Sequence, residues 1–168
     1  MRVIPLPAET EPLLTPDLVW TGVSADLAID AARGDLACAA ALKNIEIIER
    51  EDLLAHATKV GSYFESRMAD LSALPLVGDV RGRKLMLCVE SVADKATKRL
   101  LPDEANESKR ISNAAEAMGL LVRPMGHLNV MSPPLVITEA QVDFVAETLE
   151  RAIRQVTDEL VREGYALA

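Results

Sequence analysis

A chain of 168 residues, 49% hydrophobic and 26% charged, suits one domain with a real core and does not have the profile of a disordered protein. Its net charge is −8, and its only basic pieces are short ones such as "RGRK" (81–84) and "KATKR" (95–99), so a phosphate-tracking surface and a nucleic-acid partner are not expected. No run approaches the roughly 18 apolar residues of a membrane span, and the first residues lack the basic and apolar blocks of a signal peptide; the expected compartment is the cytoplasm, with no membrane partner.

Residues 1–20, "MRVIPLPAETEPLLTPDLVW", hold four prolines and no sustained period, so they read as an extended arm. Trp20 fits two roles equally, an anchor for that arm on a partner or a cap on the chain's own core. The stretch "TGVSADLAIDAARG" (21–34) is ambiguous, a short helix ending near Gly34 being one reading.

From Asp35 the pattern sharpens. "DLACAAALKNIEIIER" offers Asp35 as N-cap, strong helix formers, and apolar positions at Cys38, Ala41, Leu42, Ile45 and Ile48. A second helix is predicted over 51–72, where Leu53, Ala57, Val60, Phe64, Met68 and Leu71 recur at helical spacing and form one core-facing stripe. "LVGDVRGRKLMLCVESV" (76–92) then switches to short apolar runs broken by glycine, the pattern of two strands.

After a polar connection through Pro102, residues 106–119 read as a helix with Asn106 as cap and Gly119 as stop. "GLLVRPMGHLNVMSPPL" supplies two further strands. The last helix begins at Thr138, which has capping-box spacing to Gln141, while Ile137 can staple onto Val142. Its expected buried face is Val142, Val145, Leu149, Ala152, Ile153, Val156 and Leu160. Strands this short need a common sheet and helices to pack on it, so the expected class is α+β, a small antiparallel or mixed sheet packed with helices.

Few side chains suggest chemistry. Cys38 and Cys88 lie in apolar settings and read as buried thiols, and His56 and His127 have no companion ligands at metal-binding spacing. Arg123 is the exception. Pro124 restrains it to an extended backbone, and Pro124 and Gly126 suit the second and fourth positions of a turn. Alternation puts Leu121 and Arg123 on one face of the strand, Leu120 and Val122 on the other. A guanidinium held there can take a carboxylate or phosphate in its planar fork, or can simply pair with one of the chain's own acids.

Three segments, "GDLACAAALKNIEIIEREDLL" (34–54), "VRGRKLMLCVESVADKATKR" (80–99) and "GLLVRPMGHLNVMSPPLVITEAQVD" (119–143), occur in the order and form found in class III pyridoxal-phosphate-dependent aminotransferases. The chain resembles the C-terminal, small domain of that family, especially its omega-transaminase (amine:pyruvate) branch, from about Gly34 to Glu159. The resemblance implies an antiparallel sheet flanked by helices over 34–168, with residues 1–33 as a poorly matched arm. It also implies that Arg123 occupies the place of the family's switch arginine, which pairs with the carboxylate of an amino-acid or keto-acid substrate and swings away for an apolar amine.

The resemblance equally implies what is missing. The family's pyridoxal phosphate is held by a lysine and an acid of the large domain, upstream of everything matched here. None of Lys43, Lys59, Lys84, Lys95, Lys98 and Lys109 matches that lysine's motif. Where the family has "TYSGHP", with a phosphate-binding threonine, this sequence has "AARGDL" (31–36) and Ala31; Lys84 and Cys88 stand where glycines are common. The expectation is therefore no cofactor-binding or catalytic residue in this chain alone, and a homo-oligomer or a large-domain aminotransferase chain as partner. The alternative expectation is a catalytically dead, self-associating module that keeps a vestigial carboxylate pocket, with the alanine-rich helix (37–42) and the proline-rich arm as its contacts.

Overall fold

The helical and alternating patterns become four helices and four strands in the computed structural model, which describes residues 25–168. In chain order these are α1 (Ala25–Arg50), α2 (Leu53–Ala69), β1 (Val77–Arg83), β2 (Met86–Ser91), α3 (Glu107–Ala117), β3 (Arg123–Met125), β4 (Leu128–Met131) and α4 (Glu139–Arg162). The chain divides into two compact units, residues 1–52 and 53–168.

In the first unit the described element is α1, which corrects three expectations. Residues 25–33, assigned to the extended arm, are helical, and Asp35 lies inside the helix instead of capping it. The alanines and leucines on both sides of Gly34 are strong helix formers, and together they outweigh the roughly 1 kcal/mol that one interior glycine costs. Cys38 is exposed rather than buried, as are Leu42 and Ile45 of the same stripe. Residues 1–24, with the proline-rich arm and Trp20, lie outside the described residues.

The second unit is an α+β layer, as the pattern predicts. Its sheet has the order β1-β2-β4-β3 and is antiparallel throughout. Inward positions of the strands, among them Leu87, Val89 and Met131, join Phe64, Met68, Ile111, Leu149 and Ile153 of the helices in one core. The α2 stripe holds: Leu53, Val60, Phe64, Met68 and Leu71 are buried and Ala57 packs against them. The helix stops at Ala69 and tightens into a 3₁₀ turn (Asp70–Ala73), because Pro75 holds Leu74 extended.

On α4 the expected face is buried except Val145, which packs against the core while partly exposed; Ala146 and Thr148 are buried as well. The capping box forms: the Thr138 hydroxyl accepts from the Gln141 N–H, and the Gln141 side chain accepts from the Thr138 N–H at 2.9 Å. Gly119 ends α3 as predicted, with φ +90, its N–H on the Glu116 carbonyl and that of Leu120 on the Ala115 carbonyl. Asn106 does not cap α3 through its side chain. It sits in the left-handed region (φ 48) and closes the short 3₁₀ turn Asp103–Ala105, a conformation asparagine tolerates better than most residues.

Candidate carboxylate-binding site

The turn after Arg123 is tighter than the sequence suggested. Arg123 pairs with Val130, Pro124 with Asn129 and Met125 with Leu128, leaving a two-residue loop of Gly126 and His127. Pro124 is therefore a strand residue, not a turn residue. It is tolerated because β3 is the edge of the sheet, where a missing N–H costs no interior ladder bond. Gly126, at φ +57, takes the first central position of the loop, which an L side chain would fill only under strain.

The alternation around Arg123 matches expectation. Val122 is buried and Leu120 packs on the core, whereas Leu121 is 82% exposed and Arg123 is exposed beside it. On the open face of the sheet Arg123 starts a cross-strand row that continues through Val130 and Cys88 to Arg81. The next row is Met125, Leu128, Glu90 and Asp79. Arg81 is neutralised by Glu90 (2.7 Å) and Asp79 (3.2 Å), with Glu90 first and Asp79 second in holding its proton more tightly than usual. Cys88 lies on this face half-buried, not enclosed, between Arg81 of β1 and Val130 of β4.

Past the Arg123–Val130 rung the β3–β4 pairing ends, and the segments on either side line a groove of about 500 Å³. Leu120, Leu121 and Arg123 come from one segment, Val130 to Pro134 from the other, and Phe64 and Val145 complete the lining. The groove is thus largely apolar with one cation at its rim. Several arginines of the unit find acids, Arg67 meeting Asp143 at 2.7 Å and Arg110 meeting Glu159 and Glu163, whereas Arg99 and Arg162 bond only backbone carbonyls. Among the described residues Arg123 has no such ion pair.

A second, smaller cavity of about 180 Å³ lies between the start of α3 and the hairpin loop, lined by Asp103, Asn106, Glu107, Ser108, Gly126 and His127. Here Glu107, 1% exposed, meets the His127 Nδ1 at 2.7 Å. His56 bonds the Ile137 carbonyl at 2.9 Å, and the described residues contain no group of three or more His, Cys, Asp or Glu able to hold a metal. Sequence reasoning missed Glu107 and its neighbours. The available signal was Ser108 and Ser112, one turn apart on the same face as Ile111 and Ala115, since two hydroxyls beside apolar residues need buried partners.

Five of the six lysines are engaged elsewhere. Lys84 reaches Ser62 and Glu65, Lys95 the carbonyls of Ser72 and Leu74, and Lys98 the Gly78 carbonyl; Lys43 and Lys59 pair with Glu46 and Glu139. Neither groove has a lysine in its lining.

The α+β fold with its four-stranded antiparallel sheet is shared with a known group of proteins. The class-III aminotransferase profile matches residues 34–153, and the chain belongs to that family. It is 40% identical over 135 residues to an uncharacterised aminotransferase of Sinorhizobium fredii, covering 79% of this chain and 29% of the relative. It is 41% identical over 132 residues to a diaminobutyrate–2-oxoglutarate transaminase of Halomonas elongata (77% and 28%), and 40% identical over 125 residues to a leucine/methionine racemase of Thermococcus litoralis (73% and 28%). Among solved structures, a cofactor-free transaminase superposes with a TM-score of 0.74 at 35% identity, covering 76% of this chain and 30% of that one. An (S)-enantioselective omega-transaminase from Thermomicrobium roseum gives 0.70 at 38% identity, covering 73% and 27%. The chain spans less than a third of the length of these relatives.

Members of this family depend on pyridoxal phosphate. Neither of the two cavities described above has a lysine in its lining to hold that cofactor's aldehyde; the larger offers the Arg123 guanidinium and the Ser132 hydroxyl among otherwise apolar residues.

Proposed function

We propose that this chain is the small, C-terminal domain of a class-III aminotransferase of the omega-transaminase branch, and that Arg123 binds the carboxylate of an amino-acid or keto-acid substrate. One observation carries the reading: an exposed arginine, without an acid partner among the described residues, stands at the last rung of a hairpin where an apolar groove begins. The planar fork of a guanidinium matches a carboxylate, and the apolar lining suits the rest of a small substrate. The amino acids and the oxo acid named for the relatives all present a carboxylate, including those of the racemase, so the proposal concerns carboxylate recognition and not the choice of amine.

Amino-group transfer then needs a large-domain aminotransferase chain, or a longer form of this one, to supply the cofactor site; the cofactor, when bound there, provides the electron sink for the transfer. By itself the chain does not transaminate. It works in the cytoplasm, and its partner is that large domain or a second copy carrying one. The competing picture, a dead self-associating module, has no observation in its favour.

Titration calorimetry with pyruvate tests the site. The chain is expected to release heat of binding that Arg123→Ala abolishes while its thermal unfolding stays unchanged; identical titrations would remove the assignment. Incubation with pyridoxal phosphate followed by borohydride tests the second part. No single lysine is expected to capture the aldehyde covalently, and a stoichiometric label mapping to one lysine would reverse that conclusion.

A further inference from the structure

The strand that carries Arg123 is poorly equipped to hold it still. β3 has three residues, lies at the sheet edge, and includes Pro124, which has no N–H to donate. A short edge strand of this kind opens easily, and an arginine on it would be poorly oriented toward any ligand.

The helix before it compensates. On α3, Glu107, Ser108 and Ser112 are buried, and each bonds the segment that flanks Arg123. The Ser112 hydroxyl donates to the Val122 carbonyl at 2.6 Å, immediately before Arg123. The Ser108 hydroxyl donates to the Gly126 carbonyl, and Glu107 accepts from His127, both in the loop just after it. Asn129, buried on β4 opposite Pro124, donates its side-chain amide to the Ser108 carbonyl at 2.9 Å. The His127 carbonyl in turn accepts from the Ser91 N–H of β2 at 2.9 Å. α3 is itself tied to α4 by Arg110, which reaches Glu159 at 3.0 Å and Glu163 at 2.9 Å.

We infer that Glu107, Ser108, Ser112 and His127 form a polar clamp that fixes the Arg123 hairpin on α3, making them positioning residues for the carboxylate site. The inference rests on the reading of Arg123 given above. Its chemistry is ordinary: the bonds are buried or part-buried, so removing one partner strands another polar group away from water. They bracket Arg123 from both sides within four residues, so their loss frees the backbone that aims the guanidinium.

Amide hydrogen exchange read by NMR on the 168-residue chain, paired with pyruvate titration, tests this. In Glu107→Ala the Arg123 and Val130 amides are expected to exchange about tenfold faster or more, whereas Arg81 and Arg83 on β1, at the opposite edge of the sheet, keep their protection. Glu107→Gln, which can still accept from His127, is expected to restore most of the loss. Pyruvate binding should weaken in the alanine variant and recover with the glutamine. Should Glu107→Ala fail to fold, Ser112→Ala removes only the tie to Val122 and is expected to raise Arg123 exchange in the same selective way. Unchanged exchange at Arg123 and Val130, or an equal rise at all four amides, would overturn the clamp. A wild-type chain that binds no pyruvate, yet loses protection selectively in the variant, would defeat the carboxylate reading and leave the clamp standing.

Discussion

Gly61 on α2 lies so close to Lys84 in the β1–β2 turn that a Cβ at Gly61 would stand 2.7 Å from the lysine Cβ and 2.9 Å from its Cα. The helix and the hairpin turn touch backbone to backbone, and Lys84 adopts φ 53 to allow it. Its amide donates to the Glu65 carboxylate at 2.8 Å, and that bond is the first cause of the lowered Glu65 pKa. Gly61→Ala is expected to destabilise the fold by about 1–3 kcal/mol, because the obstacle is backbone rather than a flexible side chain. A urea midpoint that does not move would show that the turn can back away freely.

The Arg123 side chain makes no bond that the fold depends on among the described residues, so its replacement separates stability from binding. Arg123→Ala should change the unfolding free energy by less than about 0.5 kcal/mol. Arg123→Lys keeps the charge but loses the two-pronged geometry, and should weaken pyruvate binding by about tenfold relative to wild type. Equal affinity in the lysine variant would mean that only charge matters at this groove.

Asp143 on α4 accepts from the Tyr63 hydroxyl and from the Arg67 Nε, each at 2.7 Å, and so joins α4 to α2. The Tyr63 bond first, then that of Arg67, holds its carboxyl below the usual 3.8. The same bond raises the Tyr63 phenol. A depressed carboxylate pKa means that the unfolded chain binds more protons in this window. The stabilisation is therefore complete above about pH 5 and disappears as pH falls below 3.8 through the folded value. Asp143→Asn should be less stable than wild type near pH 7, with the gap closing in acid. A gap that is constant down to pH 3 would assign the loss to packing.

The capping box at Thr138 and Gln141 gives a further measurement. Thr138→Ala should cost about 1 kcal/mol, and the double variant with Gln141→Ala little more than either single change, because the two side chains satisfy each other's backbone groups. Additive losses in a thermal or urea series would show that the bonds act independently.

Much of this was legible in residue order. The 3.6-residue stripe of α2, the buried face of α4, the capping box and the Gly119 stop all follow from spacings of three and four, and they fold as read. Alternation alone put Val122 inside and Arg123 outside. What misled was local chemistry with two uses. Asp35 is a good cap but lies within a longer helix, Asn106 takes the N-cap position of α3 without a side-chain bond while closing a 3₁₀ turn, and Pro124 suits a turn but lies on an edge strand.

By itself the sequence determined the elements, the class of fold and the family, because periodicity and capping are set by neighbours a few residues apart. Tertiary structure alone decided that Cys88 is only half-buried, that Gly61 meets Lys84, and that Glu107 reaches His127 twenty residues on in the chain. Those relationships depend on which strand ends up beside which helix. That choice is made by the burial of the whole core, and no short window of residues encodes it.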